Sequence, residues 1–487
     1  MATQITDYFL YRKRYMLGYG LIVLLVVGLL TFAWLFVPGG LSQQEMSTAV
    51  TSSSLTFSLD AFRPETVVNL PYYVLQHLSF MAFGFTTLSI KLPSFILALL
   101  SALGVLLLLR MWFKQNVAVL TTILVITTGQ FMFLSQNGTP AIVYVFWPIW
   151  LLVSALMVSR RARGATLWKI ALFAIAALSL YTPFTIYILL ALFSAVVLHP
   201  HLRYIVRHLS KVRLSLAFLF ALVLVAPLNY AIIFHPEVGW QLLGIPTAWP
   251  DLGANVLRII QQYFDFSAPA VGVMMRPIYG LGSMILIALG LIRLFTTKYT
   301  ASSYIVIAWI ILLIPILLIN PAYISVAFVP GVLLMAMGVS LLLSRWYSIF
   351  PRNPYARIAG LLPLTILVGG LIFSGVDRYI YGYQYDPKVS INFSKDLDFI
   401  NAQLSDPNRG GTTILATADE TPFYQAAAKY SKDTTVVTTG TPASGAQTTI
   451  VTREAGPYYQ PGEPRRIITS PVSDNADRFY IYKTNTQ

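Results

Sequence analysis

The sequence predicts a polytopic α-helical membrane protein with about eleven spans, followed by a small α/β domain at its C-terminal end. Three observations carry this prediction. Of the 487 residues, 56% are hydrophobic and only 11% are charged, with a mean hydropathy of +0.68, whereas soluble domains carry roughly 25% charged residues. Apolar runs long enough to cross a bilayer recur up to residue 375. Beyond residue 376 the composition changes: that tail holds eleven basic and twelve acidic residues with many Thr, Ser and Tyr.

The spans are expected near residues 16–37, 91–109, 117–134, 141–158, 168–182, 185–199, 214–234, 280–296, 303–319, 325–343 and 357–375. The first run, Met16 to Phe36, is longer than the roughly 7–15 apolar residues of a signal peptide. No A-x-A-like cleavage site follows it, so it reads as an anchor. Eighteen of the twenty-two Lys and Arg residues before 376 fall on one side if the N-terminus is cytoplasmic. Arg63, Arg258 and Arg276 fall on the other, and Lys91 lies at a border. This asymmetry is the positive-inside pattern. It predicts a multi-pass protein of the cytoplasmic (inner) membrane with a cytoplasmic N-terminus and an extracytoplasmic C-terminal domain. The net charge of +14 is therefore topological, and no nucleic-acid partner is read from it. With no cysteine, disulfides and thiolate chemistry are excluded.

The acids before 376 are Asp7, Glu45, Asp60, Glu65, Glu237, Asp251 and Asp265, and six of these seven lie in the outer loops 38–90 and 235–279. No Asp, Glu, Lys or Arg sits clearly mid-span, which weighs against a pump or a proton-coupled carrier. Within the first outer loop, residues 43–53 read as a short helix. "NLPYYVLQHLSFMAFG", residues 69–84, reads as an amphipathic helix lying in the interface, with Asn69 as its cap and Gly84 as its stop. Asn69, Tyr72 or Tyr73, Gln76 and His77 form its polar stripe; Leu70, Val74, Leu78 and Met81 form its apolar face.

Each candidate residue has a structural and a chemical reading. Ser42-Gln-Gln-Glu45 spells a capping box, and Glu45 is equally a carboxylate placed to take a proton from an acceptor hydroxyl. Asp60 can close a turn or pair with Arg63; alternatively it is a substitute base or a hydrogen-bond partner of sugar hydroxyls. Arg258, on a helix that Asp251 can cap, and Arg276 can anchor at lipid headgroups or bind a lipid-linked phosphate through paired hydrogen bonds. Asn137, in "SQNGTP", makes a tight Asn-Gly turn or a substrate contact. The five histidines form no ligand-spaced cluster. No cofactor is evident, and a carboxylate-bound divalent cation stays open.

In the tail, "FSKDLDFINAQL" and "TPFYQAAAKY" read as helices, and "TTILATA", "TTVVTT", "TTIVTRE", "RRIITS" and "RFYIYKT" read as strands. The alternation predicts a small α/β domain with a partly parallel sheet. "TADETP" (417–422) falls at a strand-to-helix junction, where Asp419 or Thr421 caps the helix or a ligand binds.

The order of these parts resembles the C-type glycosyltransferases (GT-C), in their protein-mannosyltransferase and aminoarabinose-transferase-like branch. "LSQQEMSTAV" stands at that family's acidic pair, and "NLPYYVLQHLSFMAFG" stands at its His-Pro-Pro-like segment and interfacial helix. "IKLPSFILALLSALGVLLLLRMWF" is similar to its "RLPS" span start. "FLSQNGTPAIVYVFW" and "LSLYTPFTIYILLALF" resemble two of its outer turns. The likeness covers roughly residues 10–235 and beyond that rests on topology only; with the span count it divides the chain into a GT-C-like transmembrane domain over 1–375, with outer loops 38–90 and 235–279, and an extracytoplasmic α/β domain over 376–487. It also implies a polyprenyl-phosphate-linked sugar donor, membrane lipid around it, and a glycan, lipid or protein acceptor on the outer face. In the family the loop aspartate is the general base. Here Gln44 occupies that place, so Glu45 and Asp60 are the catalytic candidates, and Gln44, Asn69, Tyr72, Asn137, Arg258 and Arg276 the substrate-binding ones. The alternatives are a non-catalytic relative, acting as a carrier-binding or envelope-assembly scaffold, and thirdly a transporter.

Overall fold

The computed structural model describes residues 9–37, 39–55, 64–160, 164–265, 270–271, 274–275, 277–349, 354–405, 410–431, 433–438, 447–459, 461–470 and 477–483. After α1 (Phe9–Phe36), the first long loop holds α2 (Gln43–Ser53), α3 (Pro64–Val67) and α4 (Leu70–Phe83). The bundle continues with α5 (Thr87–Trp112), α6 (Gln115–Ile126), α7 (Gly129–Gln136), α8 (Val143–Ser159), α9 (Ala165–Ser179), α10 (Ile186–Leu198), α11 (Pro200–Arg207) and α12 (Lys211–Phe234). The second long loop holds α13 (Pro236–Leu243), α14 (Leu252–Phe264) and the short strands β1 (Ala270–Val271) and β2 (Met274–Met275). Then come α15 (Leu281–Thr296), α16 (Ala301–Ile319), α17 (Phe328–Ile349) and α18 (Pro354–Tyr385). The tail follows with α19 (Pro387–Ser390), α20 (Asp396–Leu404), β3 (Thr412–Ala416), α21 (Thr421–Ala428), β4 (Thr434–Thr438), β5 (Thr448–Thr452), β6 (Arg466–Thr469) and β7 (Asp477–Lys483).

Each expected span falls on one of these helices except 117–134, which divides between α6 and α7, and the structure does not establish eleven crossings. Among the described residues, five helices are long and apolar enough to cross a membrane, or up to seven if the bent pairs α6–α7 (63°) and α10–α11 (95°) each count as one span. For two of the helices left out the cause is geometric. At 1.5 Å per residue, α9 and α15 with 15 and 16 residues reach roughly 23 Å, short of a hydrocarbon core of roughly 30 Å. Close approach at the centre of the bundle relies on glycine. A Cβ on Gly290 of α15 would lie 1.9 Å from the Leu334 carbonyl oxygen of α17, and one on Gly338 would lie 2.0 Å from that of Leu286. The two helices thus meet backbone to backbone, as small residues allow in membrane helices.

The first loop forms the helices that the sequence predicts, and α4 turns its polar stripe inward. Tyr72 and Gln76 are buried, while Leu75, Leu78, Met81 and Phe83 are exposed. An interfacial helix docked on protein shows its apolar face to lipid, so the pattern is inside out relative to a water-soluble helix. Asn69 corrects one detail. Its φ of 64° is left-handed and its side chain makes no capping bond; its backbone N–H donates to the Tyr181 carbonyl at 2.7 Å instead.

The tail forms one five-stranded sheet in the order β4-β3-β5-β7-β6, with β3 parallel to β4 and β5, and β7 antiparallel to both neighbours. All seven predicted elements are present. Neither Asp419 nor Thr421 caps α21: the cap position is Glu420, which makes no side-chain capping bond, and the Thr421 hydroxyl donates to the Thr417 carbonyl. The loop 439–446 lies outside the described residues.

This domain is fastened to the first loop. Phe80 and Phe85 pack with Phe423 and Tyr430, Leu41 bridges to Ser394, and the Lys429 ammonium donates to the Ser53 carbonyl at 2.9 Å. Asp396 and Arg478 form a bidentate pair inside the domain, and that hydrogen bonding raises the arginine above its ordinary pKa. Thr87 donates to the Asp398 carboxylate at 2.6 Å across the contact. Thr87→Val should lower stability by about 1.5–3 kcal/mol, the usual worth of a hydrogen bond to a charged group. A denaturation midpoint equal to wild type would show that this bond does not fasten the domain.

Candidate functional site

The site is built where α2, α4, the start of α5 and the turn after α7 converge. The capping box is real: the Ser42 hydroxyl accepts from the Glu45 amide at 3.4 Å, and the Ser42 amide donates to Glu45 Oε2 at 2.7 Å. The other carboxylate oxygen, Oε1, accepts from the Gly138 amide at 2.6 Å and lies 3.8 Å from Lys91 Nζ. Lys91 in turn donates to the Gly40 carbonyl at 2.6 Å and to Gln136 Oε1 at 3.0 Å. Glu45 and Lys91 are both essentially sealed from solvent, at 0% and 1% exposure. The pair ties α2 to α5 and to the 137–139 turn. Such a buried pair is held by completed hydrogen bonding around both charges.

A second layer surrounds it. Gln76 donates to the carbonyls of Ile90 at 2.8 Å and Gly138 at 3.0 Å, and accepts from Ser52 at 2.6 Å. The Tyr72 hydroxyl and Ser94 Oγ are 2.8 Å apart, and Ser94 donates to the Asn137 carbonyl at 2.5 Å. Burial raises the Tyr72 pKa far above the usual phenol range, so Tyr72 stays protonated and acts through its hydroxyl. Gly138 is required here, because a Cβ would sit 2.7 Å from Ile90 and 3.4 Å from Glu45 Oε1.

Of the expected residues, Glu45, Tyr72 and Asn137 therefore join one hub, with Asn69 at its edge. Gln44 is exposed on α2, one position before the sealed Glu45. Among the described residues, no hydrogen-bond partner reaches Asn69 Oδ1 or Asn137 Oδ1, both of them buried. Arg258 is exposed on α14, the helix that Asp251 caps as expected, accepting from the amides of Gly253 and Ala254. Asp60 and Arg276 lie outside the described residues. Among the described residues no group of three His, Asp or Glu can hold a metal ion.

Two features escaped sequence reading. Lys91 was placed at a border, although a lone lysine at the start of an apolar run is itself the mark of a buried partner. The other feature is a groove of about 850 Å³ lined by Phe184, His235, Glu237, Trp240, Asn320 and Tyr323. Tyr323 packs against Phe184 (4.7 Å) and Tyr144 (6.2 Å), and His235 lies 3.7 Å from Glu237. No local motif joins these residues, which come from three separate parts of the chain.

The family model for dolichyl-phosphate-mannose-protein mannosyltransferase matches residues 70–230. No curated protein sequence matches the chain. Among solved structures, it is similar to ArnT from Cupriavidus metallidurans bound to undecaprenyl phosphate, with a TM-score of 0.52 and 13% identity over 95% of this chain and 97% of that one. It is also similar to an Archaeoglobus fulgidus oligosaccharyltransferase tethered to an acceptor peptide, with a TM-score of 0.52 and 12% identity over 86% of this chain and 64% of that one. A further match is AglB from the same organism with an inhibitory peptide and a dolichol-phosphate, with a TM-score of 0.50 and 12% identity over 98% and 75% of the two chains. At such identities the likeness is one of fold.

Proposed function

Because the chain carries the fold of the GT-C superfamily of membrane glycosyltransferases, we propose that it transfers a sugar from a polyprenyl-phosphate carrier to an acceptor on the outer face of the cytoplasmic membrane. The observation that carries this reading is the groove between Phe184, Trp240 and Tyr323. It is aromatic, roomy enough for a sugar, and edged by polar side chains. The orphan oxygens of Asn69 and Asn137 are acceptors that sugar or acceptor hydroxyls would satisfy.

In the proposed step the acceptor oxygen forms a bond to the anomeric carbon, and the bond from that carbon to the phosphate oxygen breaks. The electron pair leaves with the polyprenyl phosphate, and the acceptor proton passes to a carboxylate. Glu45 is poorly placed to receive it, because both its oxygens already accept amide hydrogens inside a sealed ion pair. We assign it to holding Gln44 and the 137–139 turn in place, and Asp60 to the base. Arg258 and Arg276 remain the loop cations for the donor phosphate.

The same sealed Glu45 beside an uncharged, exposed Gln44 favours a second reading, a carrier-binding scaffold without catalysis. Incubating the purified protein with polyprenyl-phosphate sugars and following release of the free carrier phosphate by mass spectrometry separates the two. Carrier binding with no release, across donors and acceptors, leaves the scaffold reading standing.

Orientation is tested independently. The chain has no cysteine, so single-cysteine variants are unambiguous. Thr247→Cys, in the groove, should react with an impermeant maleimide in spheroplasts, and His201→Cys, exposed at the opposite end, should not. The reverse pattern would invert the topology.

A further inference from the structure

The tail domain carries a groove of its own. Its volume is about 410 Å³, within the roughly 300–1,000 Å³ of small-molecule sites. Thr449 of β5, Tyr459 and Tyr482 of β7 form its floor and walls, and Glu463, Arg465 and Lys483 stand exposed around its rim. Successive side chains of a strand point to opposite faces of a sheet. Ile450 joins the core that contains Phe80 and Phe85 of the first loop, whereas Val451 packs on the other side with Tyr459, Tyr480 and Tyr482. Thr449 shares that second face. The groove therefore opens on the side of the sheet turned away from the first loop and its hub.

The floor points to a ligand. Thr449 is only 1% exposed, and among the described residues no hydrogen-bond partner reaches its hydroxyl. A buried hydroxyl left unpaired is destabilising, and this one lies at the bottom of a space that a ligand can enter. The Tyr459 and Tyr482 rings meet edge to face, with centroids 5.9 Å apart at 89°, and form a corner of two apolar surfaces. Burial raises the Tyr482 phenol above its ordinary pKa, so it keeps its proton and can donate from the edge of the ring. The mouth is open: a Cβ on Gly462 would meet no atom within 4 Å.

Charge narrows the class. Arg465 and Lys483 outnumber Glu463, and none of the three joins an ion pair among the described residues, where the pairs are Lys91–Glu45, His235–Glu237 and Arg478–Asp396. A positive rim selects an anion, and the planar fork of an arginine suits a carboxylate. The tyrosines select a second property in the same ligand, flat C–H surface beside hydroxyls, because each ring is an apolar body with a polar tip. A sugar acid has both. Its ring lies against a tyrosine face, its hydroxyls meet Thr449, the phenols and Glu463, and its carboxylate meets Arg465. A peptide suits the groove less. Both β5 and β7 are paired on each side, so the floor presents side chains and no strand edge for an extended chain to join.

We propose that this groove binds an acidic saccharide, a sugar ring bearing a carboxylate, with Arg465, Thr449 and Tyr482 as its principal contacts. The site is separate from the hub and from the groove at Phe184, and its occupancy does not depend on the transfer proposed above.

The test is calorimetric titration of the full-length protein in detergent with trigalacturonate, with maltotriose as a neutral trisaccharide and with triglutamate as an acidic peptide. The wild type should bind trigalacturonate roughly tenfold more tightly than either of the others, and Arg465→Gln should lose about that factor, the scale of one charge-assisted contact. Arg466→Gln makes the same charge change on the next residue, which does not line the groove, and should bind as wild type. Thr449→Val removes the unpaired hydroxyl and keeps the shape. Its unfolding midpoint should equal or exceed that of the wild type while trigalacturonate binding falls about tenfold, a combination that a purely structural threonine would not give.

No trigalacturonate binding by the wild type, or binding unchanged in both Arg465→Gln and Thr449→Val, overturns the inference. Maltotriose binding as tightly as trigalacturonate overturns the assignment to an acidic sugar. Triglutamate binding as tightly overturns the saccharide in favour of an acidic peptide.

Discussion

Lys91→Met is expected to destabilise the protein by about 3–5 kcal/mol, the cost of leaving one charge of a buried pair without its partner. The reason is local. Glu45 would keep its two amide donors, but the ammonium 3.8 Å away would be gone from a site that water does not reach. Gly40 and Gln136 would lose a donor as well. The measurement is the denaturant or thermal midpoint of purified protein in detergent. The double variant Glu45→Gln/Lys91→Met should be less damaged than the sum of the two single variants, because the groups are in one network. A Lys91→Met protein as stable as wild type would mean that the pair does not hold the loop, and Glu45 would return as a candidate base.

Asp60→Asn is expected to lower sugar transfer by roughly 10²–10⁴-fold, the usual contribution of a positioned acid or base, with no change in the unfolding midpoint. Glu45→Gln should show the opposite order of effects. An amide has one acceptor oxygen where the carboxylate serves two separate N–H donors, so stability should fall, and turnover should fall with the folded fraction. Glu237→Gln belongs in the same series, since Glu237 lines the groove. Transfer at the wild-type rate in Asp60→Asn would dismiss Asp60 as the base. Transfer unaffected in all three variants would leave no carboxylate among those considered to take the proton.

Much of the fold was legible because membrane burial leaves simple marks. Apolar runs and the Asn69–Gly84 pattern each follow from a single local rule, and the tail alternates helix and strand over short distances. The interior of the site was less legible. Ser42-Gln-Gln-Glu45 announces a cap, and the cap formed; nothing near Glu45 announces Gly138 or Lys91, which are 93 and 46 positions away in sequence. Arg378 was counted with the tail, although α18 runs without a break from Pro354 to Tyr385. A helix that continues past the membrane surface shows no hydropathy edge to mark where its last charged residue sits.

By itself, the sequence determined the class of the protein, the helices around its first loop, the sheet-forming tail and the scarcity of acids that makes Glu45 conspicuous. Those properties depend on residues within a few turns of one another, where side-chain period and composition act directly. The tertiary structure alone decided that Glu45 is sealed against Lys91, that α4 turns Tyr72 and Gln76 inward, and that Phe80 and Phe85 are covered by the tail domain. It also brought Arg378 to the bend at Thr127–Gly129. Each of these depends on which distant backbone amide, carbonyl or ring arrives to satisfy a buried group, and a polar side chain in a low-dielectric interior is governed by that partner rather than by its neighbours in sequence.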